Sequence, residues 1–167
     1  MAAVRIYSHD PALLQELGFR YLGAGVFDAA DRFSTASFAL DSLRSTAVVQ
    51  ALLARTRAGR IDSAASLAEV AVSRFTDDPT VLIAATLVYY AQGRPLRALA
   101  LARRMTYLHP RTWQYHQIAA YAAARSGRCA EARQRVARAV ALAPGERGPR
   151  ELVELLGSGP TCAVPDL

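Results

Sequence analysis

Apolar residues are scattered along this chain instead of alternating, and alanine and leucine dominate them, a pattern that predicts helices and no strands. A longer period lies over it. A shift of 34 residues carries Gly25 onto Gly59, Gly93 and Gly127, and Ala30 onto Ala64, Ala98 and Ala132. The same shift carries Leu14 onto Val48, Leu82 and His116, and Leu17 onto Ala51, Ala85 and Ala119. Tyr21 returns as Tyr89 two periods on, and Pro110 and Pro144 stand one period apart. Each period predicts a helix pair. Glycines such as Gly59, Gly93 and Gly127 end the first helix, where a left-handed backbone is needed. Small residues (Gly18, Ala64, Ala98, Ala132) let the two helices approach closely. Asp10–Pro11 and Asp78–Pro79 read as an N-cap followed by the first helical residue.

Four register-true copies follow, at 11–44, 45–78, 79–112 and 113–146, with a lead over 1–10. The order Leu-Gly-x-x-Tyr, Gly, Ala and closing Pro at this period resembles the tetratricopeptide repeat. The resemblance spans nearly the whole chain and implies an all-α fold, a right-handed superhelical array of helix-turn-helix units. "GPRELVELLG" has helical spacing and predicts a C-terminal capping helix over 147–157, with a flexible tail over 158–167. Three departures stand out. Ser34, Ala68, Ala102 and Val136 replace the usual aromatic of the second helix. Repeats one and two close on Ser42 and Thr76 in place of proline. Arg55 occupies the tyrosine position, where it is expected to pack its stem and keep its guanidinium in water.

Charge changes the picture in one respect. All 20 basic residues are arginine and no asparagine occurs, as a GC-rich genome would produce. Residues 1–78 hold eight Arg against nine Asp or Glu, whereas 79–150 hold twelve Arg against two Glu. Such a basic half steers acidic partners or simply forms a solvated outer face. Nucleic acid is disfavoured as a ligand, because the aromatics (Tyr89, Tyr90, Tyr107, Trp113, Tyr115) are not interleaved with the arginines.

Candidate chemistry is sparse. His9, His109 and His116 lack a carboxylate or cysteine at useful spacing, so no catalytic residues, metal ligands or cofactors are assigned and the chain reads as a non-enzyme. Cys129 falls on a packing position and Cys162 in the tail reads as an ordinary exposed thiol. With no signal-peptide pattern and no apolar stretch near the roughly 20 residues that span a membrane, a soluble cytoplasmic protein without membrane insertion is expected.

The repeat resemblance implies a concave groove lined by the second, fifth, ninth and twelfth positions of each unit. Among these, Gln15, Phe19, Leu22, Val49, Leu53, Ile83, Leu87, Tyr90, Gln117 and Tyr121 form the expected peptide-binding groove. Basic residues and asparagine are missing from it, which argues against the clamp that holds acidic chaperone tails. An apolar groove suits an apolar segment of a protein client, or else a homodimer seam. Repeat one, "LGFRYLGAGVFDAADRFSTASFALD", further resembles the first repeat of the class II chaperones of bacterial type III secretion. That resemblance implies a secretion chaperone; a general assembly scaffold, or an export-apparatus or needle co-chaperone, binding through the basic convex face is the alternative.

Overall fold

A computed structural model describes residues 9–159, 161, 162 and 164. Most of the expected N-terminal lead, and Pro160, Ala163 and 165–167 of the expected tail, lie outside the described residues. Nine helices form among the described residues: α1 (Pro11–Gly23), α2 (Phe27–Leu40), α3 (Ser45–Arg57), α4 (Ile61–Arg74), α5 (Pro79–Ala91), α6 (Pro95–Leu108), α7 (Trp113–Arg125), α8 (Cys129–Leu142) and α9 (Arg147–Leu156). No helix among the described residues is long and apolar enough to cross a membrane.

Local chemistry sets these boundaries. The Asp10 carboxylate accepts from the Ala12 and Leu13 amides at 2.8 and 3.3 Å, and Asp78 does the same for Thr80 and Val81. Each thereby satisfies amides that the first helical turn leaves without partners, with proline at the position that needs none. At the other end of α1 the Val26 amide donates to Tyr21 and the Gly25 amide to Leu22, a closing pattern that requires positive φ at Gly25. Gly59, Gly93 and Gly127 share that conformation, with φ between 69° and 74°.

The chain divides into two compact units. One ends at Gln92 and holds α1–α5; the other begins at Gly93 and holds α6–α9. In the first, α3 is central and packs against α1, α2, α4 and α5. Ala47, Val48, Val49, Ala51, Leu52 and Ala54 are therefore all buried along it. Full burial of a side chain such as Leu52 contributes about 1.5–3 kcal/mol. In the second, α7 packs against α6, α8 and α9, and its alanines at 119, 120, 122, 123 and 124 are buried.

Small residues replace the expected aromatics for a visible reason. Ser34 is fully buried where α2 meets α1, and a Cβ on Gly18 would lie 2.2 Å from its hydroxyl. That hydroxyl donates to the Gln50 side chain at 3.2 Å, joining α2 to α3. Ala68, Ala102 and Val136, the equivalents of Ser34, are buried as well. An aromatic ring there would hold the paired helices further apart.

Two expectations are corrected. The Arg55 guanidinium is not in water: its Nε donates to Asp31 Oδ1 at 2.9 Å, and its terminal nitrogens reach Thr35 Oγ1 and the Ser63 carbonyl. Only 18% of the Arg55 side chain and 11% of the Asp31 side chain are exposed, and Arg60 approaches Asp31 from its other side at 3.1 Å. A carboxylate supplied by α2 makes burial of the arginine tolerable, since each charge keeps a hydrogen-bonded counterion.

The second correction concerns Cys162. It is disulfide-bonded to Cys129, with a Cα–Cα distance of 5.4 Å, so the described residues hold no free thiol. Arg133 on α8 reinforces this closure. Its Nε donates to the Gly157 carbonyl at 2.7 Å, and a terminal nitrogen donates to those of Leu156, Gly159 and Thr161. The segment following α9 is thus held against α8 by a covalent bond and one side chain.

Candidate binding face on the first helices

α1, α3 and α5 pack in that order, because the small buried residues of α3 allow neighbours on both sides. Residues at equal register on the three helices are the ones expected to line one face. Gln15, Phe19 and Leu22 supply it from α1, Val49 and Leu53 from α3, and Ile83, Leu87 and Tyr90 from α5. Their spacings of four and three residues keep each set on one side of its helix.

Exposure separates these residues by role. Phe19 is 61% and Leu87 39% exposed, Leu22, Leu53, Ile83 and Tyr90 are half-buried, and Val49 is buried. Val49 is covered by its neighbours, whereas Phe19 and Leu87 present carbon to solvent. Gln15 is already engaged: its Oε1 accepts from the Thr46 hydroxyl at 2.9 Å, tying α1 to α3. Of α5, the most apolar helix, Val81, Leu82, Ala84, Ala85, Thr86, Val88 and Tyr89 are buried, whereas Ile83, Leu87 and Tyr90 keep part of their surface.

The other two expected groove residues, Gln117 and Tyr121, lie on α7 in the second unit and are half-buried. Gln117 faces the start of the capping helix, where a Cβ on Gly148 would come within 3.0 Å of its Nε2. This contact is invisible from the repeat register, because α9 has no equivalent within a unit.

The basic surface is partly neutralised. Arg103 Nε donates to Glu131 Oε1 at 2.8 Å, and this bond holds the Glu131 carboxyl below its ordinary value despite burial. His116 is buried, and its Nε2 lies 3.0 Å from the Pro110 carbonyl. Sequence reasoning missed the Asp31–Arg55 pair, the disulfide and the Arg133 clamp. Only the tyrosine-to-arginine departure at Arg55 carried a signal, since a cation in a packing position calls for an anion.

No family model matches the sequence, and no curated protein does. Solved structures match over most of the chain. TTC0263, a thermophilic TPR protein of Thermus thermophilus, superposes with a TM-score of 0.71 at 20% identity, over 90% of this chain and 82% of that one. YrrB, described as a TPR protein with an unusual peptide-binding site, gives 0.73 at 13% identity, over 89% and 77%. MamA from Desulfovibrio magneticus RS-1 gives 0.69 at 15% identity, over 81% and 77%. The 34-residue glycine register, the paired helices it punctuates and these superpositions together identify the fold as that of the tetratricopeptide-repeat proteins.

Proposed function

We propose that the chain is a non-enzymatic protein–protein interaction module whose face on α1, α3 and α5 takes an apolar segment of a client, in the manner of a bacterial secretion chaperone. The observation that carries this reading is the exposure of Phe19 and Leu87 on a face whose expected positions hold no charged residue. Exposed apolar carbon without charge favours a ligand that removes it from water. The peptide-binding site named for YrrB supports the same use of a related fold. A cytoplasmic location goes with it, and there Cys129 and Cys162 would be kept as thiols. Alkylation at the moment of lysis tests this, since an intact bond would place the chain in an oxidising compartment.

The direct test compares wild type with Leu53→Asp/Leu87→Asp in a pull-down read by mass spectrometry, followed by titration of the captured client's purified segment. Loss of binding at unchanged helical circular dichroism is expected; equal binding by the double variant sinks the groove reading. Sedimentation of both proteins distinguishes a client site from a homodimer seam, because a dimer that the variant dissociates assigns the face to self-association. A second reading, a scaffold that binds acidic partners through its basic surface, is favoured by charge alone: residues 93–167 hold twelve Arg against five Asp or Glu. Under it, charge reversal at Arg103 and Arg104 reduces partner capture more than the aspartate pair does.

A further inference from the structure

Within the second unit a cavity of about 410 Å³ is lined by His116 on α7 and by Gln134, Arg135 and Arg138 on α8. Its lining side chains are an imidazole, an amide and two guanidiniums, and no carboxylate is among them. Two of the three buried side-chain polar atoms that lack a hydrogen-bond partner among the described residues belong to residues of this lining, His116 Nδ1 and Arg135 Nε. Buried polar atoms without partners are costly and call for an explanation. The Pro110 carbonyl can only accept, so His116 Nε2 carries a proton and Nδ1 is left as a lone pair or, in the imidazolium, a second donor.

The two guanidiniums share little negative charge, a single carboxylate at the edge of Arg135 that a third arginine also holds. Arg135 donates through one terminal nitrogen to Thr106 Oγ1 at 3.0 Å, and its other terminal nitrogen is 3.8 Å from Glu131. That carboxylate is already hydrogen-bonded by Arg103. Arg138 is exposed and makes no ion pair among the described residues. A cavity of this size with two guanidiniums in its lining falls in the range of small-ligand sites.

We propose that this cavity is a binding site for an oxyanion, the carboxylate or phosphoryl group of a small ligand, held by Arg135 and Arg138 beside His116. It is separate from the client face, because none of its four residues is among those assigned to that face.

The test follows the Arg135 Nε–H resonance by NMR while the full chain is titrated with sodium phosphate and, separately, sodium glutarate. Sodium chloride at equal ionic strength is the control. A saturable shift is expected for at least one probe, with a Kd of roughly 1 mM or tighter, and the better probe tells a phosphoryl from a carboxylate site. Arg138→Gln, an exposed substitution that leaves the fold intact, weakens binding by about tenfold or more, the worth of a charge-assisted hydrogen bond. Arg135→Gln does the same at unchanged helical circular dichroism. A shift that chloride reproduces, no saturation with either probe, or full affinity in Arg138→Gln overturns the assignment.

Discussion

Reducing the Cys129–Cys162 bond should destabilise the second unit, and its geometry bounds the amount. The bond closes a loop across 33 positions of sequence, and removing that closure from the unfolded chain relaxes it by about 3.7 kcal/mol at 25 °C. The folded state relaxes too if the segment from Leu156 to Cys162 comes away from α8, and that short loop returns about 2.2 kcal/mol by the same relation. The net loss is therefore about 1.5 kcal/mol if reduction frees the segment, and about 3.7 kcal/mol if Arg133 alone keeps it in place. Urea unfolding followed by circular dichroism, with and without a phosphine reductant, measures it. Arg133→Gln should move the loss on reduction towards the lower figure. A change below about 0.5 kcal/mol in the oxidised chain refutes the reasoning.

Two further outcomes follow from the packing and the charges. Gly18→Ala places a methyl 2.2 Å from Ser34 Oγ and should cost about 1–3 kcal/mol by overpacking, part of it recovered by adding Ser34→Ala; a neutral urea midpoint would show that α1 and α2 are less tightly apposed. Acid should weaken the fold through Asp78 and Glu131. Burial pushes the Asp78 carboxyl up, but hydrogen bonds from the Ser45 hydroxyl and from Val81 and Thr80 outweigh it and hold the group below 3.8. The Arg103 bond holds Glu131 below 4.5. In both cases the unfolded chain binds the proton more tightly, so this stability is present above those values and is lost as the pH falls through the lower folded ones. Urea midpoints between pH 7 and pH 3 should fall chiefly below about pH 4.5, with a smaller fall in Glu131→Gln. An unchanged difference in that variant argues against the Arg103 bond.

What the sequence determined by itself is local. Asp10 and Asp78 cap the helices that begin at the prolines beside them, and Gly25 and Gly59 end others through backbone angles that side chains resist. Such preferences are settled among near neighbours, so they repeat wherever the residues repeat, and the helix-pair fold follows from their spacing. The tertiary structure alone decided which distant groups meet. Arg55 finds Asp31 across two helices, Cys129 finds Cys162 only after α9 has turned back on α8, and Gln117 meets the capping helix at Gly148. It also decided that Phe19 stands in solvent while Val49, at another of the expected groove positions, is buried. Register assigns a residue to a face, but how far it is covered depends on the helices beside it, and α3 has neighbours on both sides.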